Sequence, residues 1–432
     1  MRSKNNIRAL AILVLVCVVY LLVPFHRMTP SVMAEPIMTE TGMTASMMGL
    51  LSSVLFLTFG IMQMVDGMLV DYYGPRKMLP LFISLASLGT ALFAVSSSYA
   101  GLVAGRALIG FGSSIIFIAG LKLFSTWFPP SVYGRLNGLL LGMGGLGLIL
   151  GSGLMGYLCE MLGWRDANFA IGVITLIFAV LLAVIVRDAP AVPADRGSPA
   201  GTQGMETRIN PFTSVLAIMR NREYWLIAGW FCCQFSLHNA FGGLWGGQYL
   251  RQVHHLDTVA AGNVLNMLGV GTLLGAVVNA WACDKLFRSP RPMMVVSAVV
   301  YLLLFGCLLC WGERFPIAAL HVWFFLLAFF GMGSLSAGFA CMPGIFGRGL
   351  VGTASGLLNT LPSIAVLLLQ PLTGVVLEMI GGVKAIYSAH EYALAFSMYF
   401  AGSAFSLFCA FKALRWKTPG KAHAGQRTAM SQ

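Results

Sequence analysis

Two arginines and two histidines lie inside long apolar runs, where a charged or titratable group has few uses besides binding and proton transfer. Arg27 stands in Tyr20-Leu-Leu-Val-Pro-Phe-His26-Arg27-Met-Thr-Pro, far from any polar flank. An unpaired guanidinium there costs at least about 2.5–3.5 kcal/mol, so such a residue faces a cavity or a partner. Its five donors form a fork suited to a carboxylate or phosphate. The alternatives are a structural arginine bonded to helix carbonyls or one that snorkels outward. His26 points some 100° away from Arg27 on a helix, which suits interhelical packing better than ligand contact. His238 can take a proton near physiological pH or act as a satisfied core histidine, with Asn239 beside it. Asn263, Asn266 and Gln370 need hydrogen-bond partners in a lipid setting, either across helices or on a substrate. Trp245 and Tyr249 line a cavity or join an interfacial aromatic belt. Glu35 and Glu378 sit towards span ends, which leaves His238, Glu35 or the substrate itself to carry a coupled proton.

Enzymatic chemistry is not expected, because no catalytic constellation and no GxxxxGK[ST] phosphate loop is present. Cys307 and Cys310 form a lone CxxC in an apolar run without a nearby histidine, so neither a metal nor a cofactor is expected.

The elements that must hold these residues are membrane spans. Of 432 residues 58% are hydrophobic and 10% charged, with a mean hydropathy of +0.81. Soluble domains run near a quarter charged. A span needs about 20 mostly apolar residues. Twelve such stretches are predicted, at 8–34, 44–68, 78–98, 101–123, 136–158, 167–187, 223–250, 259–282, 293–311, 316–341, 352–378 and 392–413. The first is too long for a signal peptide and lacks a cleavage site. Of the 27 basic residues, all but Arg165, Arg251, Arg314, Lys384, Arg27 and Arg106 fall on one side of this topology. The bias predicts both termini in the cytoplasm and accounts for the +12 net charge without a nucleic-acid partner. Residues 188–222, with Pro190, Pro193 and Pro199, read as a cytoplasmic linker between an N-terminal bundle at 1–187 and a C-terminal bundle with its tail at 223–432.

The two bundles read as a diverged repeat. Gly49 precedes Asp71 by the same 22 residues that separate Gly262 from Asp284, and each aspartate ends its span ahead of basic residues. Gly134-Arg-Leu-Asn-Gly138-Leu-Leu is echoed by Gly352-Thr-Ala-Ser-Gly356-Leu-Leu. Parallel six-helix repeats suit a transporter that rocks one half against the other around a midplane site. A carboxylate at Asp71 can pair with Arg76 and Lys77 or cap a neighbouring helix, as a latch made and broken in the cycle or as a static anchor.

Gly67-Met-Leu-Val-Asp71-Tyr-Tyr-Gly74-Pro-Arg76-Lys77 resembles the signature loop of the major facilitator superfamily, G-x-L-x-D-x-x-G-x-R-[KR]. Arg106-Ala-Leu-Ile-Gly-Phe-Gly112 is similar to its second motif, and the glycines from Gly142 to Gly153 to its fifth helix without the usual Gly-Pro. The resemblance implies an all-α integral membrane protein of twelve helices in two pseudo-symmetric bundles. It implies a latch at Gly67, Asp71, Gly74, Arg76 and Lys77, with a degraded copy at Asp284, and a part for Arg106 in proton movement. The first span is similar to those of sugar-phosphate permeases and bacterial metabolite permeases, in which an arginine at the place of Arg27 binds the anion. Their second arginine corresponds here to Asn239, which favours a less strongly held anion or a zwitterion over phosphate.

The expected function is secondary transport of a small organic anion or amino-acid-like metabolite by proton-coupled symport, in a bacterial inner membrane, as a monomer among lipids. The expected substrate contacts are Arg27, His238, Asn239, Trp245, Asn263 and Gln370. Export of hydrophobic compounds by proton antiport is the competing reading, and it lacks both the membrane-embedded acid and the Gly-Pro motif that it calls for.

Overall fold

A computed structural model describes residues 2–189, 211–346, 351–384 and 386–415. Among these residues the secondary structure is helical throughout and falls into twelve rods. The first, α1, is three segments in line: Arg2–Tyr20, Leu22–Met28 and Pro30–Thr41. Pro30 has no N–H to continue the ladder, so the chain steps at Thr29, two residues after Arg27. Next come α2 (Ala45–Tyr73), α3 (Pro75–Val95) and α4, which is Tyr99–Ser113 and Ile116–Trp127. Helix α5 runs from Pro130–Ile149 through a π turn at Leu150–Leu154 to 162. Gly163, at φ 81°, turns the chain into α6, 164–185. After a short helix at Pro211–Met219, α7 comprises Arg222–Ala240, a π turn Phe241–Trp245 and Gly246–Val253. Helix α8 is Thr258–Trp281 with a π turn Ala282–Leu286, and α9 is Pro290–Trp311. Helix α10 is Ile317–Phe330 and Ser336–Phe346 around a break at Gly331, α11 is Val351–Gly381 and α12 is Ala389–Arg415.

Among the described residues ten helical stretches are long and apolar enough to cross a membrane. One of them holds both α5 and α6, and α7 is absent from the ten because His238, Asn239 and Gln234 dilute its apolar content. Successive rods alternate in direction, so the start of α1 and the end of α12 share one end of the molecule, here the terminal end; the other is the distal end.

Helices α1 to α6 pack among themselves, as in the α3–α6 and α3–α4 pairs, and α7 to α12 do likewise, as in α8–α10 and α9–α12. The two sets meet along α2–α11, α5–α8 and α1–α7. Gly49 allows the first of these contacts: a Cβ there would stand 2.5 Å from the Gln370 carbonyl oxygen. Small residues that let backbones touch are the usual means of joining helices in lipid.

Candidate functional site

Arg27 sits where the two sets of helices meet. It is the next-to-last residue of the segment Leu22–Met28, where the carbonyl end of the segment favours a cation. Its guanidinium carbon lies 4.5 Å from the Phe59 ring centre, 5.6 Å from Phe56 and 5.9 Å from Phe235. Phe56 and Phe59 come from α2 and Phe235 from α7. The side chain is half-buried, and its Nε is fully enclosed without a hydrogen-bond partner. No carboxylate among the described residues pairs with it. Cation–π contact offsets part of the cost of removing the charge from water, yet leaves the donors of the fork open.

On the facing side the polar groups mostly satisfy one another. Asn239 Nδ2 donates to the Phe235 carbonyl at 2.9 Å, Gln370 Nε2 to the Asn239 carbonyl at 3.3 Å, and Trp245 Nε1 to the Gln370 carbonyl at 3.0 Å. This ties α7 to α11. Gln370 Oε1 and both ring nitrogens of His238 remain buried without partners. A Cβ on Gly243 would lie 3.1 Å from the Arg27 carbonyl and 3.5 Å from Gln370 Nε2, so Arg27, Gly243 and Gln370 are neighbours. Trp245 is buried and its ring N–H is committed, which makes it a strut; Tyr249 is buried against Tyr392 and Phe396, away from any exposed belt. Asn263 is exposed a turn and a half from the start of α8 and joins none of these groups. Asn266 accepts from the Ser152 hydroxyl at 3.0 Å and ties α8 to α5.

The distal end is closed over this site. Glu35 of α1 pairs with Arg251 of α7 at 3.0 Å, and Arg251 also donates to Thr258 at 2.8 Å. Glu35, read from sequence as a possible proton carrier, is thus engaged in a bridge between the two sets of helices. Glu378 of α11 accepts from the Ser46 N–H at 2.6 Å and its hydroxyl at 3.1 Å, capping α2. Gly247 lies directly on the Ser31 carbonyl, so Gly243 and Gly247 of α7 serve close contact with α1. Beyond the apolar run of α1, Glu40 accepts from Arg165 Nε at 2.8 Å and Trp164 Nε1 at 2.7 Å. Partial burial raises its pKa, but those bonds outweigh it and hold the carboxyl below its ordinary value.

Arg106 of α4 is buried and donates to the His26 carbonyl at 3.0 Å, with Nε and Nη2 unpartnered. It fixes α4 against α1 next to Arg27.

At the terminal end the Asp71 side chain lies outside the described residues. Gly67 has open space around it, and Arg76 and Lys77 are exposed. The carboxylate that caps α3 is Asp188, which accepts the Arg76 N–H at 2.8 Å. It packs against Gly74, whose φ of 80° only glycine adopts readily. Lys122 Nζ reaches the Val70 carbonyl at 3.4 Å, at the end of α2. In the second half Asp284 is exposed, and the buried ion pair joins Arg291 to Glu223.

These features meet known proteins at the level of the whole chain. Residues 16–370 match the Major Facilitator Superfamily. The chain belongs to that superfamily. This transporter is 25% identical over 382 residues to a protein of Cupriavidus necator described as a probable sulfoacetate transporter, SauU, covering 86% of this chain and 87% of that one. It is 23% identical to a probable hexose phosphate transport protein of Chlamydia pneumoniae, with 68% of each chain covered. Its fold is similar to the crystal structure of a bacterial homolog of the human lysosomal transporter Spinster, at a TM-score of 0.73 and 16% identity, covering 96% and 99% of the two chains. The superfamily consists of multi-span membrane transporters and not enzymes, as the sequence implies.

Sequence reading missed three polar groups in this transporter. Asp188 is 112 residues from the N–H that it caps and falls at the start of the linker, where nothing local marks it. Glu223 reads as part of a basic flank. Asp66, fully buried on α2 with both carboxylate oxygens unpartnered, reads as the tail of the second span. An acid inside an apolar run was the signal available for it, and its burial corrects the expectation, used against the export reading, that no span holds an embedded acid.

Proposed function

We propose that this transporter moves a small organic anion across the membrane by alternating access, in symport with protons, and that Arg27 holds the anion. The observation that carries the reading is the guanidinium between the two sets of helices, ringed by three phenylalanines, with an enclosed unpartnered donor and no paired acid among the described residues. An anion with one compact charged group, a carboxylate or sulfonate, fits best. On the facing helices α7 and α11, Asn239 and Trp245 already spend their donors within the protein, so a second strongly charged group would find there, among the described residues, only His238 and the Gln370 oxygen. The relatives' descriptions as transporters of sulfoacetate and hexose phosphate support an anionic cargo. In this reading residues 1–187 and 223–432 are the rocking halves, the terminal end with the linker at 188–222 faces the cytoplasm, and the distal end faces outward across a bacterial inner membrane. The protein works as a monomer.

The test is ligand-induced thermal stabilisation of purified protein by sulfoacetate, short carboxylates, hexose phosphates and a neutral analogue of each. Arg27→Lys keeps the charge and loses the fork. Arg27→Ala loses both, and weakens anion binding by about 2–4 kcal/mol, roughly 30- to 1000-fold. In Arg27→Ala the neutral analogues lose their disadvantage. Equal anion affinity in wild type and Arg27→Ala refutes the assignment, and a best ligand without a negative group refutes the anion reading.

A further inference from the structure

Asp66 and Asn279 occupy equivalent places in the two halves. The offset of 213 residues that sets Gly49 against Gly262 and Asp71 against Asp284 also sets Asp66 against Asn279. In the second half the role of this position is visible. Helix α10 breaks at Gly331, and Asn279 Nδ2 of α8 donates to the Phe329 carbonyl at 2.7 Å, beside the break. In the first half the hydrogen-bond ladder of α4 is interrupted at Ser114 and Ile115, whose backbone stays in the helical region, and Asp66 of α2 lies beside Ser114 at that interruption. The Ser114 hydroxyl donates to the Phe111 carbonyl at 2.8 Å. Asp66 is fully buried, and the one polar group beside its otherwise unpartnered carboxylate is the Ser114 hydroxyl, whose own proton is spent on Phe111, so that oxygen can accept only from a protonated Asp66.

A helix break releases carbonyl oxygens from their intrahelical N–H groups. An asparagine can donate to such a carbonyl. A carboxyl can do so only while it holds its proton, since the ionised form is an acceptor alone. An ionised carboxylate buried without a partner is strongly disfavoured. We propose that Asp66 is the group that carries the coupling proton: protonated, it ties α2 to the break in α4 as Asn279 ties α8 to α10; ionised, it lets go of α4 and frees its terminal half.

The charges around Asp66 are few. On α4, Arg106 lies eight residues before Ser114 and is bound to the His26 carbonyl, and Lys122 lies eight residues after it with its nitrogen on the Val70 carbonyl. On α3, Arg76 and Lys77 stand exposed at its start, and no charged residue follows through 95. Helix α11 carries no charge from 351 to 377, and α7 none from 224 to 250 except His238 if protonated. Helix α1 brings His26 and Arg27, with Arg2, Lys4 and Arg8 at its terminal end, and α2 itself has Asp71 five residues on.

The inference rests on the proton-coupled reading for its purpose, and its first test does not. Hydrogen exchange of peptides covering 111–122, corrected for intrinsic rates, is measured on the full-length protein between about pH 5.5 and 8.5. The expected result is about a tenfold loss of protection as pH rises, the size of one lost buried hydrogen bond. Asp66→Asn makes that protection independent of pH, and Asn279→Asp transfers pH dependence to 327–335. A wild type without the pH dependence, or an Asp66→Asn protein that keeps it, overturns the proposal. The second test is accumulation of sulfoacetate or hexose phosphate in proteoliposomes under an inward proton gradient. Asp66→Asn lowers it to simple equilibration, and undiminished accumulation overturns the coupling role. A wild type that moves none of these anions refutes the anion reading and leaves Asp66 to be decided by the exchange measurement.

Discussion

Gly247→Ala is expected to open the distal end. An added Cβ would fall on the Ser31 carbonyl oxygen, and would stand 2.6 Å from its carbon and 3.1 Å from the Ser31 Cα. Ordinary carbon contacts begin near 3.5 Å, so α1 and α7 must separate by about an ångström or more. Both obstacles are backbone, and no side-chain rotation relieves them. Overpacking of this kind costs about 1–3 kcal/mol, and the closed form bears the whole of it. The separation also stretches the bridge from Glu35 to Arg251, now 3.0 Å. That pair is partly exposed and adds at most about 1 kcal/mol. The overpacking alone depletes the distal-closed state roughly 5- to 150-fold. Cys159 reports the change, because it lines the same cleft as Glu35, Arg251 and Thr258 and is half-buried. Its labelling by a maleimide, read on the isolated peptide by mass spectrometry, rises at least several-fold in Gly247→Ala. Gly356→Ala, where a Cβ meets nothing within 4 Å, leaves it unchanged. A Gly247→Ala protein with wild-type Cys159 labelling and full transport would show that α1 and α7 do not form the closure.

Asp188→Ala removes the cap of α3 and lowers unfolding stability by about 1 kcal/mol, measured by thermal unfolding in detergent, without altering anion affinity. Trp245→Phe loses the bond to the Gln370 carbonyl and costs about 1–2 kcal/mol of stability, while the preference for anions over neutral analogues persists, in contrast to Arg27→Ala. Glu40 contributes stability in full above the ordinary carboxylate value, about 4.3, and that contribution is lost as pH falls through its depressed folded value. Partial exposure keeps the effect below about 1 kcal/mol, so Glu40→Gln slightly flattens the acid limb of a melting-temperature profile.

The twelve rods were legible because a span is a property of composition over some 20 residues, and composition survives local detail. The same averaging hid the breaks. The π turns at Leu150–Leu154 and Phe241–Trp245 and the gap between Ser113 and Ile116 leave the apolar content of their spans unchanged. Arg27 was legible because a guanidinium in such a run has no bland neighbourhood. Its phenylalanine ring was not, since Phe56, Phe59 and Phe235 are three among 29 phenylalanines. Pairings between distant residues were also out of reach. Glu35 could be placed near the distal end, yet its engagement by Arg251 depends on how α1 and α7 close. Asn263 and Asn266 differ by less than one turn, and only packing puts one on Ser152 and leaves the other exposed.

The polar groups of this transporter divide by whether the closed form satisfies them. Gln370 Nε2, Asn239, Trp245, Asn266 and Asn279 have partners and hold helices together. Arg27 Nε, His238 and the Asp66 carboxylate are enclosed without partners. In lipid, where each unsatisfied group costs free energy, such groups persist only if another state or a bound species completes them. In the proposed reading an anion completes Arg27 and a proton completes Asp66. The two requirements sit on adjacent helices of one half, α1 and α2, so that filling one and releasing the other changes the cost of the same closed state.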